Sequence, residues 1–312
     1  MWDILLWILL FIGGYIIIYY AADIFIDNLK DFCLVYGLSA FIIGSIVLGI
    51  DLEEFIASTV ASTNGLPYIA VGNVIGNSII ALTLCFALPA LFFGFKFKAI
   101  SQFYFWIIYA SFFAIILGFF FHFGLLIAGL VTIALYLIYL LRNLKHSREQ
   151  DIEEIKKVQA EENEDKSRKK IILLIIISFC AIVLGGELLI LSAQHLITLT
   201  GISESIFGFV IIAFVTNVEE LTLIIKSIKK HAVEIGLGGM VGKLIWNLTV
   251  TFGISGLILI NIVFHWDLIW NSIVLLILLL YLNYIARKRS LNKKDGILLL
   301  IFFVVFLLIN FI

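Results

Sequence analysis

The sequence predicts an all-α polytopic membrane protein with ten transmembrane helices, arranged as two inverted repeats of five helices each. Three observations support this fold class: an apolar composition, basic residues confined to alternate loops, and carboxylate pairs at matching places in the two halves. Hydrophobic residues make up 62% of the 312 residues and charged residues 14%, whereas about half of a soluble domain is apolar. This composition excludes an ordinary soluble domain and places most of the chain in a bilayer.

Ten apolar segments are each long enough to cross a bilayer, which takes about 20 residues of α-helix. We predict spans near residues 3–24, 36–62, 67–93, 101–121, 124–142, 171–194, 203–227, 235–262, 268–286 and 296–312. The first span has no basic segment before it, so we expect a membrane helix and not a cleavable signal. The chain then divides into a first repeat, 1–142, a charged loop, 143–170, and a second repeat, 171–312.

The distribution of the 21 Lys and Arg residues predicts the orientation of the chain. Basic residues follow the first, third, fifth, seventh and ninth spans, whereas the loops on the opposite side carry none. Because basic loops face the cytoplasm, we expect both termini outside the cytoplasmic membrane and loop 143–170 inside. Its Lys145–Lys170 stretch holds eight basic and eight acidic residues. We interpret it as a flexible linker, with a short solvated helix as the alternative.

Two pairs of adjacent glutamates interrupt the apolar segments at matching places. Glu53 and Glu54 lie in L-G-I-D-L-E-E-F, and Glu219 and Glu220 lie in A-F-V-T-N-V-E-E-L, at an offset of 166 residues. The same offset relates V-G-N-V-I-G-N to L-G-G-M-V-G-K. A charge in the hydrocarbon region costs a few kcal/mol and normally marks a cavity or an ion path. Since five spans invert the second copy, a shared site is expected near the membrane midplane.

The polar side chains of these segments are of the kind that hard cations prefer. A Ca²⁺ ion takes about six to eight oxygen ligands, several from carboxylates. We expect oxygen ligands from Asp51, Glu53, Glu54, Asn77, Thr216, Asn217, Glu219, Glu220 and Asn247. Adjacent residues differ by about 100° around a helix, so one glutamate of each pair should point elsewhere. Broken backbone near Gly49 and Val215 would add carbonyl ligands, and we expect helices 2, 3, 7 and 8 to be discontinuous.

Lys243 fits neither side of the membrane, because it lies inside the eighth span. Repeat symmetry places its ammonium opposite Asn77 and near the glutamates, where it would repel a divalent ion by several kcal/mol. Four roles stay open for this residue. It is a built-in cation in one ion position, a group that releases its proton when a cation arrives, a static ion pair in a homologue without transport, or a lysine that reaches the cytoplasmic interface.

These motifs resemble the cation/calcium exchanger superfamily, most closely its prokaryotic sodium/calcium exchanger branch. In that family each repeat carries G-T-S-x-P-E followed by G-N-x-x-G-S, and the glutamate of each motif binds the transported cation. By position, the resemblance assigns these ion ligands to Glu54 and Glu220. It places Glu53 and Glu219 at the edge of the site, and we expect these two residues and Lys243 to modulate ion binding.

The chain matches some motif positions and departs from others. The matches outside the glutamates are Gly72, Asn73, Gly76 and Thr216. Where the family has Thr, Ser, Pro, Ser, Pro, Ser and Asp, this chain has Ile50, Asp51, Glu53, Asn77, Glu219, Lys243 and Asn247. The resemblance covers nearly the whole chain, and the departures are concentrated at the ion site.

The resemblance implies a secondary active cation antiporter that exchanges Na⁺ for Ca²⁺ across the cytoplasmic membrane, by alternating access at a midplane carboxylate site. A cation/proton exchanger and a non-transporting homologue are the alternatives. An enzyme is not expected, because paired histidines, G-x-S-x-G and a catalytic cysteine setting are missing from the sequence. We expect no cofactor; the expected partners are the lipid bilayer and the cations Ca²⁺ and Na⁺ (or H⁺), with no nucleic acid and no obligate protein partner.

Small residues predict close helix packing in two of the spans. They are Gly13 and Gly14 in the first span, and Gly185 and Gly186 in the sixth. The resemblance implies that these two long apolar spans slide or rock against a core formed by spans two, three, seven and eight.

Overall fold

The computed structural model describes residues 2–35, 50–97, 100–147, 168–217, 220–221, 224–225, 228 and 233–311. Its α-helices are α1 (Trp2–Val35), α2 (Leu52–Thr63), α3 (Pro67–Phe92), α4 (Gln102–Gly118), α5 (Gly124–Ser147), α6 (Arg168–Thr200), α7 (Glu204–Ile206), α8 (Ala213–Thr216), α9 (Val233–Trp246), α10 (Phe252–Leu259), α11 (Trp266–Lys288) and α12 (Lys293–Phe311). Two π-helical segments, π1 (Phe207–Ile212) and π2 (Asn247–Thr251), join α7 to α8 and α9 to α10. Two short strands, β1 (Phe95–Lys96) and β2 (Ser290–Leu291), pair antiparallel.

Seven of the described helices are long and apolar enough to cross a membrane. They are Asp3–Phe25, Pro67–Phe92, Gly124–Asn143, Lys169–Thr200, Leu237–Leu259, Trp266–Lys288 and Lys293–Phe311, and they coincide with seven predicted spans. Gln102–Gly118 and Glu204–Thr216 are shorter apolar helices inside the predicted fourth and seventh spans. About half of the predicted span 36–62 lies outside the described residues, and its described part contains the 12-residue helix α2. The total of ten therefore stays a prediction.

Helix α3 is the most deeply enclosed of the long helices. It is apolar nearly all round and buried over most of its length, as expected for a helix surrounded by others. Pro67 at its first turn supplies the fixed φ that favours a helix start. It packs against α2, π1, α11 and α12. Elements from both halves of the sequence thus meet on α3.

The continuity of α3 contradicts the prediction that the third helix is discontinuous. The helix runs unbroken through Asn73 and Asn77, and its interior proline, Pro89, lies in the last turn. The amide groups of both asparagines bond to residues of α2, so they do not compete with the backbone of their own helix.

The other predicted helix breaks take different forms. Helix α2 begins directly after Asp51, whereas the predicted break at Gly49 lies outside the described residues. Helix α8 ends at Thr216, next to the predicted break at Val215, and Asn217 forms a turn with φ −79° and ψ 0°. The eighth span runs through α9, π2 and α10 without a break, so the prediction that this helix is discontinuous is wrong; the π-helix π2 widens the helix without interrupting it. π-Helical turns inside α-helices are frequent at functional sites.

Helices α1 and α6 pack closely through glycine. A Cβ on Gly14 would lie 2.9 Å from the carbonyl oxygen of Gly185, and a Cβ on Gly185 would lie 2.9 Å from that of Gly14. Gly186 faces the side chain of Ile56 on α2. These three glycines confirm the prediction of close packing. Gly13 does not, since no described atom lies within 4 Å of its Cβ position. The outer faces of both helices expose large apolar side chains, as expected of helices that face lipid.

The two strands join the loops that follow α3 and α11. Phe95 pairs with Leu291 and Lys96 with Ser290. Nearby, Asp295 accepts hydrogen bonds from Nζ of Lys288 at 2.8 and 3.0 Å and from the backbone N–H of Asn292 at 2.8 Å. The two basic loops therefore lie at the same end of the structure, as the distribution of Lys and Arg predicts. Which side of the membrane they face stays a prediction.

The approach of α3 to π1 gives a stability prediction. A Cβ on Gly76 would overlap the backbone carbonyl of Phe209, and overpacking of this kind costs about 1–3 kcal/mol. We expect Gly76→Ala to lower the unfolding temperature of the purified protein in detergent. Gly238→Ala is the control, because no described atom lies within 4 Å of its Cβ position and alanine favours a helix interior by about 1 kcal/mol. Equal unfolding temperatures for both variants would contradict the described contact.

Candidate functional site

Glu54 lies fully buried in the first turn of α2. Its backbone N–H donates to Oδ1 of Asp51 at 3.2 Å, so Asp51 is the N-cap that satisfies one free donor at the helix start. Oε1 of Glu54 accepts a hydrogen bond from Nδ2 of Asn77 on α3. Oε2 has no hydrogen-bond partner among the described residues. The cap therefore positions a carboxylate that keeps one oxygen available.

Asn77 is where the predicted site residues of the two halves meet. Its Nδ2 donates to Glu54 and, at 3.3 Å, to Oγ1 of Thr216. Its Oδ1 accepts from Nδ2 of Asn247 at 3.0 Å, and its backbone carbonyl accepts from Nδ2 of Asn217 at 3.4 Å. All five residues are buried. Helices α2 and α3 of the first half are thereby linked to α8 and π2 of the second.

Glu220 forms an ion pair with Lys243. Nζ of Lys243 lies 2.5 Å from Oε1 of Glu220, and the two side chains are 13% and 3% exposed. The lysine therefore reaches a buried carboxylate and does not extend to the membrane interface. Oε2 of Glu220 has no hydrogen-bond partner in the part of the chain that the structure describes.

The carboxylates are near each other without forming a cluster. Glu54 interacts electrostatically with Asp51 and Glu220, and Glu220 interacts with Asp51. Among the described residues, however, no group of three or more His, Cys, Asp or Glu side chains is arranged to hold a metal ion. A cation here would depend on amide, hydroxyl and backbone oxygens as well as on carboxylates.

The π-helical segments position the amide and hydroxyl groups. Thr216 and Asn217 follow shortly after π1, and Oγ1 of Thr216 donates to the carbonyl of Ile212 at 3.1 Å. Asn247 is the first residue of π2, and its Oδ1 has no hydrogen-bond partner within the described ranges. Available buried oxygens thus come from both halves of the chain.

The two glutamates predicted at the edge of the site, Glu53 and Glu219, differ in what the structure describes. Glu53 is buried beside Glu54 on α2, and Glu219 lies outside the described residues. The prediction that Glu53 and Glu219 modulate the site from its edge is therefore not tested by these contacts.

Ser58 contacts the site residues in the structure but was not predicted from the sequence. Its Oγ accepts from Nδ2 of Asn73 at 3.0 Å, and the same Nδ2 lies 3.5 Å from the carbonyl of Glu54. Ser58 is one helical turn after Glu54, and Asn73 is one turn before Asn77. The i, i+4 spacing on both helices is the pattern that would have found this second contact.

Comparison with known proteins identifies a family. The sequence model of the family described as sodium/calcium exchanger protein matches residues 6–145 and 170–312. The chain is 26% identical over 306 residues to the uncharacterised membrane protein MJ0091 of Methanocaldococcus jannaschii, and the match covers 95% of each protein. It is 27% identical over 143 residues to the sodium/calcium exchanger MaX1 of Methanosarcina acetivorans, which covers 46% of this chain and 41% of MaX1.

Solved structures share the fold. A structure of the sodium-calcium exchanger NCX_Mj, soaked with 10 mM Na⁺ and zero Ca²⁺, superposes with a TM-score of 0.61 at 25% identity and covers 97% of this chain and 98% of that chain. A second structure of NCX_Mj, soaked with 2.5 mM Na⁺ and 10 mM Sr²⁺, gives a TM-score of 0.60 at 24% identity with the same coverage. Because the family model matches more than half of this chain, the chain belongs to the sodium/calcium exchanger family.

Proposed function

We propose that this protein, a cation antiporter by family and fold, exchanges Na⁺ for Ca²⁺ across the cytoplasmic membrane. The observation that carries the proposal is the presence of two buried carboxylates, Glu54 in the first half and Glu220 in the second, in a site that hydrogen bonds join across the halves. Glu54 is linked through Asn77 to Thr216 of the other half. Buried carboxylates within a membrane protein mark an ion path.

The proposed ligands are oxygen atoms, which suit Na⁺ and Ca²⁺. Three buried oxygens without hydrogen-bond partners among the described residues supply the first of them: Oε2 of Glu54, Oε2 of Glu220 and Oδ1 of Asn247. The remaining ligands of the proposed set are Asp51, Asn77, Thr216 and Asn217. The ions are the cargo of the protein, and we propose no resident cofactor.

Burial of these charges explains why movement of one cation would require another. An unpaired buried carboxylate carries a desolvation cost of several kcal/mol. A conformation that encloses the site without a cation is therefore disfavoured, and the site changes its access with either ion bound. This is the physical basis of exchange, as opposed to leak, in the proposed mechanism.

The packing of α1 and α6 supports alternating access. The two helices touch through Gly14 and Gly185 and expose apolar outer faces. Gly186 faces the side chain of Ile56 on α2, the helix that carries Glu54. Movement of the α1–α6 pair against α2 and α3 would alter access to Glu54 while the pair itself stays intact.

The arrangement in the membrane is also part of the proposal. We propose two inverted repeats of five transmembrane helices, 1–142 and 171–312, joined by the cytoplasmic loop 143–170, with both termini outside. The seven apolar helices and the pairing of β1 with β2 support it.

Neutralising either central glutamate tests the function. We expect Glu54→Gln and Glu220→Gln to reduce Na⁺-driven ⁴⁵Ca²⁺ uptake into proteoliposomes at least about tenfold, because losing one carboxylate ligand costs more than about 1.4 kcal/mol of binding free energy. Glu187→Gln, the same change at an exposed position of α6, should retain native uptake. Native protein that moves no Ca²⁺ under a Na⁺ gradient would contradict Na⁺/Ca²⁺ exchange.

A substitution of Glu53 tests whether the ion ligand is Glu54 or the glutamate next to it. Glu53 and Glu54 are both buried, but the proposed ligand is Glu54. We expect Glu53→Gln to keep uptake within about threefold of native, since less than about 0.7 kcal/mol is lost at an edge position. Na⁺-driven ⁴⁵Ca²⁺ uptake is measured for Glu53→Gln and Glu54→Gln side by side. The assignment of Glu54 as the ligand is wrong if Glu53→Gln lowers uptake more than Glu54→Gln does.

A further inference from the structure

We propose that the ammonium group of Lys243 permanently occupies one cation position of the antiport site. The site would then bind one monovalent cation fewer than its carboxylates would otherwise accept. This inference deepens the proposed function and rests on it, because it concerns the ions that the same site carries. It assigns the lysine a role in ion stoichiometry.

The first argument is distance. Nζ of Lys243 lies 2.5 Å from Oε1 of Glu220 in a charge-assisted hydrogen bond, so the ammonium fills the space on this side of the oxygen. The ammonium nitrogen is therefore where a cation held by this oxygen would be. A cation cannot bind Oε1 of Glu220 from the same direction unless the lysine side chain leaves.

The second argument is a difference between equivalent positions. Glu54 is paired with Asn77, 23 residues later, and Glu220 is paired with Lys243, also 23 residues later. Equivalent glutamates thus contact equivalent positions on the next long helix of each half. One contact is made by a neutral amide and the other by a positive charge. The charge of Glu220 is compensated within the protein, whereas Asn77 leaves the charge of Glu54 to be balanced by cargo.

The third argument is the placement of the available oxygens. Oε2 of Glu54 and Oδ1 of Asn247 are buried, and neither has a hydrogen-bond partner among the described residues. Asn247 also contacts Asn77, the partner of Glu54. Oε2 of Glu220 is the third such oxygen. The cargo position is therefore formed by Glu54, Asn247 and Oε2 of Glu220, whereas the position at Oε1 of Glu220 belongs to Lys243.

The test is the number of Na⁺ ions bound per protein at saturation. Equilibrium binding of ²²Na⁺ to the purified full-length protein at pH 8 is compared between native protein and Lys243→Ser. We expect the serine variant to bind one more Na⁺ per protein, because it removes the charge and frees the space at Glu220. Lys243→Arg, which keeps the positive charge, should bind the native number.

The matched control is Lys288→Ser. Lys288 also forms an ion pair with a carboxylate, that of Asp295, at 2.8 Å, but this pair lies at the end of α11 and outside the site. The control should leave the Na⁺ number unchanged. Size-exclusion chromatography of each variant confirms that the counted protein is folded.

The outcomes separate this inference from the proposed function. The same Na⁺ number for native protein and Lys243→Ser overturns the role of the lysine, even if Na⁺-driven Ca²⁺ uptake is observed. A gain of one Na⁺ in Lys243→Ser supports it, even if neither protein moves Ca²⁺; in that case Na⁺/Ca²⁺ exchange fails and the occupied cation position stands.

Discussion

The hydrogen bonds of Asn77 join the two halves of the chain at the centre of the structure. The side chain of this one residue reaches Glu54 on α2, Thr216 on α8 and Asn247 on π2. Each bond is buried, where an unmade bond costs more than a made one gains. The register of three elements against α3 is thereby coupled to the geometry of the site. Packing positions the helices, and the amide of Asn77 specifies how they meet.

The sequence alone was sufficient to predict the parts of the fold that follow from burial of apolar segments in the membrane. Apolar length identifies a membrane helix without knowledge of its neighbours, so seven predicted spans coincide with helices. The sequence was insufficient where the conformation of a helix depends on the residues that pack against it. The third helix was wrongly predicted to be broken, because whether Asn73 and Asn77 disturb their own backbone depends on partners supplied by α2. The π-helical turns likewise had no pattern in the sequence that could locate them.

The site shows the same division. The buried acids could be located from the sequence, because a charge inside an apolar segment requires an explanation wherever it occurs. Repeat symmetry also placed Asn77 and Lys243 near these acids, but the individual contacts could not be predicted. The sequence left four roles open for Lys243, and the contact of its Nζ with Glu220 is compatible with more than one of them. Ser58 was not predicted, although it lies four residues after Glu54 and contacts Asn73, four residues before Asn77. Which of the acids bind cargo stays a prediction, because contacts between residues do not identify ligands of an ion.

The contacts between the halves bear on how such a chain could have arisen. Gly76 of the first half lies against the backbone of Phe209 in the second, and Phe95 pairs with Leu291. These contacts resemble a subunit interface, and none of them involves loop 143–170. They join the parts of the chain on either side of the predicted loop 143–170 without a covalent link. On the repeat that the sequence predicts, Asn77 and Lys243 hold equivalent positions that differ in charge.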